Sequence, residues 1–252
     1  MITQFALRLT FGMTLMWLLM PRRDVTAGFF KIQMRVVLGL CVLALLAFPT
    51  DTNAILSTTT CRVLCGIAGG VAYFGSVFWL YDWRRAATWA MAPIALLTGS
   101  VLMVAYGYPG GTGEQRVWLQ PLSEFSSSAL LGSTVVGMLL GHWYLTSPTM
   151  TIRPLSFLNH CVLGCAVLRL IVAAIGLWVG YGLLQTSTHS IWLGMRWAAA
   201  IACPIGVWFL VWRILKYKNT QSATGVLFAG VIVTFIGEMT AMLLSTEVSW
   251  PL

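Results

Sequence analysis

Residues 158–184 read LNHCVLGCAVLRLIVAAIGLWVGYGLL, an apolar run interrupted by a single charge, Arg169. About 20 mostly apolar residues carry a helix across the hydrocarbon core of a bilayer. This run is longer than that and so reads as a tilted spanning helix. Working outward, seven further runs have the same character: 2–20, 33–49, 62–81, 86–106, 127–147, 191–215 and 225–245. The fold class expected is therefore all-α, a polytopic transmembrane bundle of eight spans forming one integral membrane domain over residues 1–252.

Composition supports that reading. Hydrophobic residues make up 58% of the chain and charged residues 9%, with a mean hydropathy of +0.84. Soluble domains carry ~25% charged residues. A soluble globular domain, a disordered chain and a nucleic-acid-binding domain are excluded on that ground. The first run needs a separate reading. It has no basic start, Arg8 interrupts it, and Met20-Pro21-Arg22-Arg23 replaces the small residues of a cleavage site. It reads as a retained span. The alternative is a seven-span chain whose first helix lies in the interface.

The net charge of +8 follows the topology. Arg22, Arg23, Lys31, Arg35, Arg84, Arg85, Arg153, Arg213, Lys216 and Lys218 fall in or beside the connections after spans 1, 3, 5 and 7. The other connections hold only Arg62 and Arg116. Basic residues gather on the cytoplasmic side. Both termini are thus expected outside, in a bacterial-type inner (plasma) membrane. The bilayer accounts for the basic excess, and no nucleic-acid partner is needed. Trp83, Trp89, Trp143 and Trp212 near one set of helix ends, and Trp118, Trp192 and Trp250 near the other, read as interfacial belts.

The longest connection, 107–126, is read as an external loop in which Gln115–Phe125 lies as an interfacial helix. Small residues four apart, Gly66–Gly70, Gly137–Gly141 and Gly176–Gly180, are expected at helix contacts. In the sixth span Cys161, Cys165, Arg169, Ala173, Gly176 and Gly180 form a small, polar face expected to point inward. Pro93 and Pro204 are expected to disturb their helices. Trp79-x-x-x-Trp83-Arg84 and Trp208-x-x-x-Trp212-Arg213 close spans four apart and suggest a repeat of four helices.

Four charges fall inside spans: Arg8, Arg169, Arg196 and Glu238. Intramembrane ionisable groups need a partner or water, and they mark solute or proton paths. Counted from the expected span ends, Arg8, Arg196 and Glu238 share one depth. The expected arrangement pairs Glu238 with Arg196, with Arg8 as second partner and Arg169 at mid-depth. It is either a structural ion pair or the lining of a substrate path. A second group, His142 and His160, suits a b-type haem with Arg169 near its propionates. With Cys161 and Cys165 the same histidines suit a metal.

No P-loop, HExxH or GxSxG pattern is present, and no catalytic residue can be assigned. Three functions remain. The first is a small permease or channel-like protein for a small solute, with an anionic one favoured by three intramembrane arginines to one glutamate. The second is a haem- or quinone-associated membrane subunit of a redox complex. The third is a non-catalytic assembly subunit, whose partners would be other membrane subunits or copies of itself.

Overall fold

The computed structural model describes residues 1–49, 57–106, 114–147, 150–180, 186–248 and 250, and of residues 114–117 the backbone alone. Those residues are helical without strands, and eight helices are long and apolar enough to cross a membrane. They are α1 (Ile2–Leu19), α2 (Ala27–Leu46), α3 (Thr58–Leu80), α4 (Arg84–Tyr106), α5 (Glu114–Thr146), α6 (Arg153–Gly180), α7 (Ser187–Leu215) and α8 (Thr220–Val248). The first run is one of the eight. A single 3-10 turn, Arg22–Asp24, links α1 to α2.

Several helices begin earlier than hydropathy suggests. α2 starts at Ala27, so Lys31 and Arg35 stand on its first turns, where long side chains reach the interface while their stems stay in lipid. α3 starts at Thr58 because Ser57 caps it, its hydroxyl accepting the Thr60 N–H at 3.2 Å. The largest difference is α5. Residues 107–113 of the expected loop lie outside the described residues, but the expected interfacial helix at Gln115–Phe125 is instead the continuous start of α5. Hydropathy counts Gln120, Ser123, Glu124 and Ser126–Ser128 against a span. In the bundle Ser123, Glu124, Ser126 and Ser127 meet polar groups on α1, α6 and α8, Gln120 donates to the Tyr106 carbonyl on α4, and Ser128 donates to the Glu124 carbonyl of its own helix.

The helices form two groups of four with the same packing order. α1 packs on α2 and α4, and α3 closes the ring between them. α5 packs on α6 and α8, and α7 closes that ring. α1 against α5 joins the two rings, and these two helices are the most enclosed in the protein. The joint needs glycine. A Cβ on Gly12 would lie 1.8 Å from the Ser128 carbonyl oxygen, and one on Gly132 would lie 2.0 Å from the Gly12 carbonyl carbon. Two backbones touch there, as small residues permit in lipid.

The repeat is also written in the residues at matching places. Gln4-Phe5 with Gly12-x-Thr14 on α1 matches Glu124-Phe125 with Gly132-x-Thr134 on α5. Val37-Leu38-Gly39-x-x-Val42-Leu43-x-Leu45 on α2 matches Val162-Leu163-Gly164-x-x-Val167-Leu168-x-Leu170 on α6. Ala87-Thr88 with Thr98 on α4 matches Ala223-Thr224 with Thr234 on α8. Thr98 and Thr234 both donate to the carbonyl four residues back, at 2.7 Å.

Packing elsewhere follows the expected faces in part. On α6, Arg169, Ala173, Gly176 and Gly180 are buried, with Cys161 and Cys165 at the edge of that face. Gly66 and Gly70 are the exception. They lie on the exposed side of α3, and Cys65, Ala68, Gly69 and Ala72 form the packed face instead. Pro204 has no N–H to return to the preceding turn, and the helix widens to π geometry over Trp197–Ala202. Gly237 of α8 packs into that widened turn, where a Cβ would lie 2.4 Å from the Ala200 nitrogen.

Apolar side chains fill most of the interior. Trp17, Phe29, Phe30, Met34 and Met91 are buried toward the α1–α2 turn, and Phe30 stacks on Trp79 at 4.6 Å. Ala6, Leu7, Phe48, Val101 and Leu102 close the first ring near the start of α1. Polar burial is concentrated in the second ring, in the half of the bundle where α1 and α5 begin. That half ends in the N-terminal face of the bundle.

Candidate functional site

The site starts from α5, whose first turns carry Gln120, Ser123, Glu124 and Ser127 at helical spacing toward the interior. Glu124 is fully buried. It accepts two hydrogen bonds from Arg8 of α1, both 2.7 Å, in the two-pronged geometry a guanidinium and a carboxylate favour. Gln4 of α1 and Gln120 add further donors to its Oε1 at 2.9 and 3.4 Å. Gln4 and Glu124 hold matching places in the two rings, so this contact lies across the α1–α5 joint.

A second pair lies deeper. Arg169 of α6 donates from Nε to Glu238 Oε1 at 2.8 Å and from Nη2 to Oε2 at 2.9 Å. Its Nη1 donates to the Ser123 hydroxyl at 2.9 Å, and Ser127 donates to Glu238 Oε2 at 2.5 Å. Every atom of the Glu238 carboxylate thus has a partner, as a charge buried at this depth requires.

Arg196 of α7 is different. It is 1% exposed, and its Nε, Nη1 and Nη2 have no hydrogen-bond partner among the described residues. The charges that act on it are those of Arg169, Glu238 and Arg8. It directly precedes the widened turn Trp197–Ala202. The cluster therefore holds three arginines against two glutamates, one positive charge in excess. An unpaired buried ion costs several kcal/mol.

This geometry corrects the expected pairing. Glu238 meets Arg169, not Arg196, and Arg8 meets Glu124. Helix ends explain the change. α8 runs on to Val248, so Glu238 sits ten residues below its end, and Arg169 lies eleven residues before Gly180, the last described residue of α6. At 1.5 Å per residue both are about 15–17 Å deep. Glu124 falls in a stretch that hydropathy reads as a loop, which hides it as a partner. A signal was present, since three intramembrane arginines with one glutamate lack a second carboxylate. Glu124 is the one acidic residue whose helical neighbours, Gln120 and Ser127–Ser128, share a polar face.

A cavity of about 220 Å³ leads to the cluster from the N-terminal face. Gln4, Arg8, Glu124 and Arg169 line it together with Tyr106 of α4 and Trp250. Trp250 lies over the small face of α6, its Nε1 donating to the Gly176 carbonyl at 3.1 Å. The cavity is thus framed by both rings, with Arg8, Glu124 and Arg169 in its wall and their neighbours Glu238 and Arg196 outside its lining.

The histidines stand apart from this site. His142 of α5 is exposed and meets the ring of Phe228 on α8 edge-on at 6.4 Å. His160 of α6 is exposed, with Nδ1 2.7 Å from the Ser156 carbonyl of its own helix. The two imidazoles have different neighbours, and Arg169, expected near the propionates of a haem, is committed to Glu238. Cys161 and Cys165 are half-buried and free, and no cluster of three or more His, Cys, Asp or Glu suited to a metal occurs among the described residues. No family model, curated protein or solved structure matches the chain.

Proposed function

We propose that this multi-pass membrane protein is a small permease or channel-like protein for a small anionic solute, taken up from the vestibule at the N-terminal face. The observation that carries the reading is Arg196. Its buried guanidinium lacks a carboxylate, beside a cluster in which both glutamates are already committed. An anion that reaches Arg196 restores charge balance to the cluster. Neutral or cationic solutes have no such gain.

The vestibule supports the same reading. Its walls combine guanidinium, amide, hydroxyl and indole groups with one carboxylate, Glu124, which Arg8 neutralises, and its volume suits a small ion with attendant water. The π turn beside Arg196 and the Gly237 contact place a locally altered helix at the end of the charged cluster, where π turns often accompany function. Passage requires the two-pronged pairs to exchange partners with the solute. Arg8–Glu124 is the outer pair, lining the cavity. Arg169–Glu238 is the inner pair, next to Arg196.

The distribution of Lys and Arg supports an orientation with both termini outside in a bacterial-type inner membrane. The test is flux in proteoliposomes loaded with a panel of halides, nitrate and small carboxylates. At least one anion should move faster than in empty vesicles, and Arg196→Gln and Glu238→Gln should each cut that flux about tenfold. Wild-type flux equal to empty vesicles for every anion, or full flux in both variants, would remove the reading.

A further inference from the structure

A second cavity, of about 700 Å³, lies at the face opposite the vestibule, and the proposed solute path does not use it. Three separate turns build it. The α1–α2 turn supplies Arg22, Arg23 and Asp24, the first turn of α4 supplies Arg84 and Arg85, and the first residue of α6 supplies Arg153. Five guanidiniums thus converge with one carboxylate among the lining side chains. Asp82 offsets part of Arg84, accepting from its Nε at 3.0 Å, on the exposed side of the turn.

Topology alone explains why basic residues stand at this face. It does not explain why five of them line one hollow, while Lys31, Arg35, Arg213, Lys216 and Lys218 do not line it. It also does not explain two buried donors in the wall. Arg22 Nη1 and Trp79 Nε1 have no hydrogen-bond partner among the described residues. Trp79 is 3% exposed and held by its stack on Phe30, so its N–H is fixed in place. Buried N–H groups in native proteins are normally satisfied. A ligand rich in acceptor oxygens would satisfy them.

The chemistry that fits is a phosphate group, which guanidiniums grip in two-pronged fashion. The surroundings indicate its source. Trp89 lines the cavity yet is 76% exposed, as a ring at the headgroup level of a bilayer would be. We propose that this cavity binds the phosphate of an anionic phospholipid headgroup and ties the α1–α2 turn, α4 and α6 together at the membrane surface. The bound lipid is a structural partner of both rings, since α4 belongs to the first and α6 to the second.

The test uses the full chain in a neutral detergent. Phosphatidylglycerol, phosphatidylcholine and inorganic phosphate are added in parallel, and thermal stability and hydrogen exchange are followed. The expected result is a rise in Tm of several degrees with phosphatidylglycerol only, weakened by salt, with slowed exchange over 20–25 and 84–89. The double variant Arg85→Gln/Arg153→Gln should need at least fivefold more phosphatidylglycerol for the same shift. A shift reproduced by millimolar inorganic phosphate would overturn the lipid as the source and leave a soluble phosphate site. Equal shifts with both lipids, or no slowed exchange in the wild-type protein, would overturn the site itself. The wild-type measurements decide the matter even if the variant does not fold.

Discussion

Arg169 on α6 and Glu238 on α8 meet through two parallel hydrogen bonds, 2.8 and 2.9 Å long, with both side chains buried. Each charge is tolerated at that depth because the other is there. Removing one partner from such a pair typically costs 3–5 kcal/mol, whereas removing both can be nearly neutral. Arg169→Gln and Glu238→Gln should each lower stability in detergent by about 3 kcal/mol or more. The double variant should lose markedly less than the sum. Additive losses in a double-mutant cycle would mean that the two groups do not act as a unit.

Arg196 should behave in the opposite way. A guanidinium at the centre of a spanning helix is disfavoured by about 2.5–3.5 kcal/mol on insertion scales, and this one has no partner. Arg196→Met should therefore raise thermal stability in detergent by about 2 kcal/mol while abolishing the anion response of the vesicle assay. A lowered Tm would show that Arg196 holds the fold together, and the argument from its unpaired charge would fail.

The α1–α5 joint should tolerate no added atom. Gly12→Ala places a methyl carbon against backbone on α5, and overpacking of ordinary cores already costs about 1–3 kcal/mol. The loss here should reach about 3 kcal/mol or prevent assembly of the rings. Gly39→Ala on α2 is the control, because nothing lies within 4 Å of its added carbon. Its stability should equal or slightly exceed the wild type, since alanine is the better helix former.

Sidedness can be checked without reference to function. Reporters fused to either end should be active on the outside only, and one placed in the connection between α7 and α8, at Lys218, should be active only inside. Activity of the terminal fusions on the inside would reverse the orientation read from the basic residues.

Most of the frame was legible in the sequence, because lipid leaves so few choices. An apolar run of sufficient length must be a helix, and eight runs give eight helices. The polar start of α5 was not legible from hydropathy, since a buried Gln, Ser and Glu count against a span when their partners are unknown. Those partners come from Gln4, Arg8 and Arg169, far away in sequence. The site was half legible for the same reason. Arg8, Arg169, Arg196 and Glu238 stood out as charges in apolar runs, but their pairing depends on helix ends fixed by caps and turns. An error of three or four residues shifts depth by about 5 Å, enough to change partners. The matched Gln4-Phe5 and Glu124-Phe125 motifs could have supplied the missing alignment of α5 with α1.

The matching rings carry unequal chemistry. Where the second ring has Arg169, the first has Ala44, and where the second has Glu238, the first has Leu102, both of them buried. Arg8 is the first ring's one ionised contribution, and it stands opposite a serine, Ser128, in the alignment of the two halves. A doubled frame thus supports an undoubled centre. Under the proposed function, α2 and α3 are relieved of any duty toward the solute and are answerable only for keeping α1 and α4 in place. Changes there should register in yield and heat resistance, while changes of comparable size in α6 to α8 should register in transport.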